Sequence, residues 1–148
     1  MSEQASQRSV ELFKSGYFCA ESVLLAIAEN QGIQSDLIPR IATGFCSGIS
    51  RTCNMCGAVS GAIMGINLIA GRNSPSESNE YCYTLNQKMI NLFEKQYGSI
   101  NCFQLIGCDL ATEEGQRFFI ENHLMERCLQ YAEDVTSMAI SLITEKHH

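Results

Sequence analysis

Tryptophan is absent from this chain, proline occurs only twice, and no cluster of lysine and arginine is found anywhere along it. Without a cationic patch, and with a formal net charge of -6, the protein has no surface suited to tracking phosphates. Nucleic acid is therefore not an expected partner, and an anionic membrane surface is disfavoured for the same reason. The longest apolar stretch, Ala58 to Ala70, carries Ser60 and Asn67 and is well short of the roughly 20 residues a membrane span needs. There is no phosphate loop of the G-x-x-x-x-G-K type and no dinucleotide fingerprint. Met1-Ser2-Glu3-Gln4 lacks the basic and apolar regions of a secretory signal and the glycine that myristoylation requires, so the expected location is cytoplasmic. His147 and His148 are set aside. His123 is the remaining histidine, and it reads as a solvated or packed helix residue rather than a base. Asp109, Glu113 and Glu114 lie close together, but acids at a helix start usually serve the dipole, which leaves paired-carboxylate catalysis unsupported.

Cysteine, by contrast, is abundant. A chain of 148 residues with 45% apolar content is the size of one domain and can bury a core without disulfide staples. Its eight cysteines, at positions 19, 46, 53, 56, 82, 102, 108 and 128, are therefore not needed to hold it together. In a reducing cytoplasm such richness points to metal binding or catalysis, the bland alternative being that several are small buried hydrophobes.

The periodicity is helical almost throughout and predicts an all-α, single-domain bundle of about five to seven helices over 1–148. A first helix is expected over Ser2–Lys14, ending at Gly16, and a second over Phe18–Asn30, with Cys19, Val23, Ala26 and Ile27 on one face. Ser35 and Asp36 offer a cap for a short helix through Ile38 and Ile41 with Pro39 in its first turn. Residues 44–52 read as an irregular loop. Beyond it, Gly57, Gly61 and Gly65 recur every four residues and make a side-chain-free stripe that needs a close neighbour, either a helix or a cofactor. A long helix through Tyr97 is expected to bury Tyr81, Leu85, Met89 and Phe93, starting from a cap at Ser76 or Ser78 and ending at Gly98. Thr112 is a further cap, and a last helix from about Leu124 carries Cys128, Tyr131, Val135, Met138 and Leu142 on a coiled-coil-like seam.

Cys53 and Cys56 form a C-x-x-C pair at the predicted start of the glycine-striped helix, where free amides and the helix dipole lower thiol pKa values. Two sulfurs at that spacing can cycle as a dithiol or reach one metal. Gly57 follows the pair where a haem-attachment motif needs histidine, no second C-x-x-C completes a zinc ribbon, and the helical setting departs from a thioredoxin-like one.

The run Cys56-Gly57-Ala58-Val59-Ser60-Gly61, with Cys19-Ala20-Glu21-Ser22-Val23-Leu24 upstream and Cys102, Gly107-Cys108-Asp109-Leu110 and Cys128 downstream, resembles the C_GCAxxG_C_C family, a group labelled redox-active. The resemblance spans roughly residues 10–142. It implies that Cys19, Cys56, Cys102 and Cys128 are the signature set, with Cys46, Cys53, Cys82 and Cys108 outside it. A similar module is fused to haem-binding segments in split-Soret-type cytochromes that carry an iron-sulfur centre, an analogy that favours a metal-cluster reading.

The leading expectation is that Cys19, Cys56, Cys102 and Cys128 hold an iron-sulfur cluster or another thiolate-bound metal for electron transfer or redox sensing, with Cys46 or Cys53 as an extra ligand or resolving thiol. A metal-free protein cycling Cys53 and Cys56, a soft-metal carrier, and a non-catalytic helical module are the alternatives. The redox partner protein is not specified by the sequence. The last-helix seam and the glycine stripe allow a homodimer.

Overall fold

The computed structural model describes residues 2–145, so His147 and His148 lie outside the described residues. The chain is all-α, as the periodicity predicts, with 72% of the described residues in helices. In order, the segments are α1 (Ser2–Lys14), α2 (Cys19–Asn30), a 3-10 helix (Arg40–Phe45), α3 (Cys46–Arg51), α4 (Gly57–Ala70), α5 (Glu80–Tyr97), α6 (Cys102–Ile106), α7 (Glu113–Glu121) and α8 (Met125–Thr144). The eight α segments exceed the expected five to seven because α3 and α6 are too short to carry a periodic signal. No described helix is long and apolar enough to cross a membrane.

The centre of the bundle is the crossing of α2 and α4, flanked by α8 and α1 on one side and α5 on another. Val23, Leu24 and Ile27 of α2, Val59 and Ile66 of α4, Leu85, Met89 and Phe93 of α5 and Val135 and Ile140 of α8 are buried in it. The close approach comes from the glycine stripe. A Cβ on Gly61 would lie 2.6 Å from the Ala20 carbonyl oxygen, and one on Gly65 would lie 2.5 Å from Ile27 Cδ1. Helix–helix contact thus accounts for the second and third glycines. Within the bundle, the Ser9 hydroxyl donates to the Ser6 carbonyl at 2.6 Å and also reaches the Ala132 carbonyl at 3.4 Å, tying α1 to α8.

Several local expectations are corrected. Tyr81 is 39% exposed, because α5 starts at Glu80 and its first turn projects beyond the core. Asn79 occupies the N-cap position, and Ser78 instead accepts the Glu80 amide at 3.1 Å. The expected short helix at Ser35–Ile41 is a run of turns leading, after a cis Ile38–Pro39 bond, into the 3-10 helix. His123 is exposed in the turn between α7 and α8 with φ 53°, not on a helix. The seam of α8 buries Leu124, Tyr131, Val135 and Leu142 against partners within the chain.

Residues 44–52 differ most from expectation. Inside α3, Ser47, Gly48, Ile49 and Ser50 have φ values of 58, 66, 61 and 56°, and Arg51 follows at 66°. The segment is therefore a turn wound left-handed, a conformation that places Cβ against the following carbonyl and costs roughly 1–2 kcal/mol per non-glycine residue. Ser50 donates to the Gly44 carbonyl at 2.8 Å and Thr52 to the Ile49 carbonyl at 2.7 Å, holding the turn at both ends.

Candidate functional site: a cavity lined by four cysteines

The four signature cysteines come from separate segments. Cys19 opens α2, Cys56 occupies the N-cap position of α4, Cys102 opens α6, and Cys128 lies near the start of α8. All four line one cavity of about 290 Å³. An isolated antiparallel bridge between Met55 and Asn101 sets two of them side by side. Across it, the Cys56 amide donates to the Ile100 carbonyl at 2.7 Å and the Cys102 amide to the Asn54 carbonyl at 2.8 Å.

Glycine makes room for the sulfurs. A Cβ on Gly57 would sit 2.2 Å from Cys19 Sγ, 3.0 Å from the Phe45 carbonyl oxygen and 3.2 Å from Cys46 Cα. The first glycine of the stripe therefore serves the cysteine cavity, whereas Gly61 and Gly65 serve helix packing. Gly48, in the left-handed turn, plays the same part for Cys102, whose Cβ lies 2.6 Å from where its own Cβ would be.

The rest of the wall is mostly apolar, including Phe13, Phe18, Leu105, Ile106 and Phe119. Tyr131 closes one side, its hydroxyl donating to the Leu105 carbonyl at 2.9 Å and its ring standing edge-on to Tyr97 with centroids 4.8 Å apart. Arg51 is the charged lining residue, and Ser47 and Gln116 add polarity. Ser47, Gly48 and Arg51 reach the cavity through the left-handed turn, for which non-glycine residues gave no sequence signal. Tyr131 was legible as a seam position but not as part of a site.

Burial governs the electrostatics. Cys56 is pushed up to about 11 by desolvation, which outweighs the favourable amides of Val59 and Ala58. Cys102 rises to about 11, again chiefly by burial, with Cys53 and Cys108 adding repulsion. Cys128 is raised by burial and then by Cys56, Cys102 and Cys108. The expectation that a helix N-terminus lowers the thiol pKa thus fails at Cys56, because loss of hydration exceeds the effect of the helix amides. In the metal-free protein these three thiols are protonated at neutral pH, so a thiophilic ion binding there must displace protons.

Cys53 and Cys56 are not equivalent. Cys53 has φ 65° and precedes the helix. It is absent from the cavity lining, and its thiol donates to Asp109 Oδ1 at 3.2 Å, an interaction that, with some desolvation, raises its pKa. Cys108 is buried near Cys53 and Cys102. Cys82 lies elsewhere, donating to Asn67 Oδ1 at 3.2 Å in the lining of a separate depression. Cys46, also buried, neighbours Cys19, which raises its pKa, and its thiol reaches Glu21 Oε1 at 3.7 Å. Among the described residues, no three His, Cys, Asp or Glu side chains come together tightly enough to hold a metal ion.

Helical segments gathered round a cavity lined by four thiols define an all-α protein with a cysteine-lined cavity. Residues 17–142 match the family described as "Putative redox-active protein (C_GCAxxG_C_C)", and the chain belongs to that family. An uncharacterized protein of Archaeoglobus fulgidus is similar to it, 31% identical over 130 residues that cover 80% of this chain and 85% of the relative. No solved structure matches.

Proposed function

We propose that Cys19, Cys56, Cys102 and Cys128 hold an iron-sulfur centre used in electron transfer or redox sensing. The observation that supports this reading is the meeting of four thiols, drawn from four segments, on one largely apolar cavity. Among the described residues no three donors converge on a point, so the reading rests on the shared cavity and on the affinity of thiolates for iron. An iron-sulfur centre held there would supply one-electron exchange. The protein's own contribution is to keep water from the sulfurs with Phe13, Phe18 and Phe119, to offer the Ala58 and Val59 amides to Cys56, and to set the cation of Arg51 in the wall of a site whose thiolates would be negative.

A metal-free dithiol built from Cys53 and Cys56 has less support, because Cys53 is turned to Asp109 outside the cavity. Iron and acid-labile sulfide analysis of protein purified without oxygen, with its visible spectrum, tests the proposal. Matching iron and sulfide with a thiolate-to-iron band is expected. Colourless, metal-free protein that takes up neither on anaerobic reconstitution would overturn it.

A further inference from the structure

We propose that Cys19 and Cys46 form a reversible disulfide, with Cys19 as the thiol that meets the oxidant and Cys46 as the thiol that resolves it. Cys46 lies outside the four signature positions, yet it sits close enough to Cys19 for that thiol to raise its pKa. Both side chains are buried, and both pack on Gly57, where an added Cβ would stand 2.2 Å from Cys19 Sγ and 3.2 Å from Cys46 Cα. The absent side chain at Gly57 is what lets the two cysteines share that space.

The surroundings hold the pair in place. Glu21 accepts the Phe18 amide at 3.1 Å and the Thr43 hydroxyl at 2.8 Å, and Cys46 reaches the same carboxylate at 3.7 Å. One acid thereby ties the start of α2, which carries Cys19, to the 3-10 helix that delivers Cys46. The cavity reaches Cys19 and not Cys46, which sets the order of events.

The oxidant required is a low-molecular-weight disulfide. The Cys19 thiolate attacks one of its sulfurs, forming a mixed disulfide and releasing the first small thiolate. Cys46 then gives up its proton to water or to Glu21, and its sulfur attacks that of Cys19. The mixed disulfide breaks, the second small thiolate leaves, and the Cys19–Cys46 bond remains. The protein loses two electrons and the small disulfide gains them.

The consequence rests on the function proposed above. A sulfur bonded to Cys46 no longer serves as a ligand in the cavity, so disulfide formation and loading of the centre exclude each other. Oxidation of the empty site would then protect it, and reduction would reopen it.

The experiment treats the full, metal-free chain with oxidised glutathione, blocks the remaining thiols and maps peptides without reduction. A linked pair of peptides carrying Cys19 and Cys46 is expected, and in Cys46→Ser the glutathione stays on Cys19. Wild-type protein whose Cys46 remains free to alkylate while Cys19 is oxidised would overturn the pair. In a second arm, iron and sulfide uptake is compared before and after oxidation. Uptake lost on oxidation and restored by dithiothreitol supports the exclusion, and equal uptake by linked and reduced protein overturns it. Reduced protein that takes up no iron counts against the iron-sulfur reading instead, and the mapping, which needs no iron, still decides the pair.

Discussion

Glycine is used in opposite senses in two neighbouring parts of this molecule. Helix α4 carries Gly57, Gly61 and Gly65 where a right-handed helix would favour alanine by about 1 kcal/mol each. The left-handed turn of α3 carries Ser47, Ile49, Ser50 and Arg51 at positive φ, where glycine would relieve strain. In α4 the unfavourable choice is explained by proximity to Cys19, Ala20 and Ile27. In the turn it coincides with the wall of the cysteine cavity, to which Ser47, Gly48 and Arg51 contribute. Packing explains the first departure from local propensity; the second falls on the wall of the cysteine cavity, and strained backbone often clusters at functional positions.

That contrast can be broken by substitution. Gly61→Ala should have the largest effect, about 3 kcal/mol of lost stability, since its Cβ would stand 2.6 Å from the Ala20 backbone carbonyl oxygen, which cannot yield. Denaturant unfolding measures it. Gly57→Ala should lose about 2 kcal/mol, because its Cβ would overlap the Cys19 sulfur at 2.2 Å while its backbone neighbours stand at 3.0 and 3.2 Å, and iron uptake should fall with it as Cys19 is displaced. Gly65→Ala meets only side-chain atoms of Ile27, Cδ1 at 2.5 Å and Cγ2 and Cβ at 2.9 and 3.0 Å, with no backbone contact, so a gain in helix propensity should partly offset the clash and leave a loss of about 1 kcal/mol. Equal losses at all three would show that the stripe is uniform and that Gly57 has no special tie to the cysteine site.

Introducing glycine into the turn should do the reverse. Ile49 is a β-branched residue at φ 61° with a partly exposed side chain, so Ile49→Gly should raise stability by about 1 kcal/mol, read as a higher unfolding midpoint. A fall of the same size would mean that Ile49 contributes packing the strain argument leaves out.

The smallest effect concerns pH. Cys56 and Cys102 rise to about 11 in the folded protein, against an ordinary thiol value of about 8.5. Both states hold these thiols neutral below the ordinary value. Above it the unfolded chain ionises first, so stability declines as pH climbs toward the folded value. The metal-free protein should therefore melt at progressively lower temperature through that alkaline window, and Cys56→Ala should flatten the slope.

How much of this was legible in the sequence follows the range of the interactions. The limits of α1, the buried stripe of Leu85, Met89 and Phe93, the left-handed Gly98 and the Thr112 cap, which accepts the Gly115 amide at 2.9 Å, are set by neighbours within a few turns and match the periodic reading. Cys19, Cys56, Cys102 and Cys128 could be named from the family pattern, but their shared cavity depends on the crossing of α2 and α4 and on the Met55–Asn101 bridge, which are long-range. The left-handed turn gave no signal because serine, isoleucine and arginine do not favour it. The raised Cys56 pKa was missed because helix position is written in the sequence and burial is not.

The central claim is that the signature cysteines act as a set in one cavity and that the C-x-x-C spacing is incidental to it. Iron and acid-labile sulfide content of Cys53→Ser and Cys56→Ser, each prepared without oxygen beside the unaltered chain, tests this most directly. Cys53→Ser should keep both and Cys56→Ser should lose both. Loss of both in the two variants alike, or their retention in Cys56→Ser, would contradict the account.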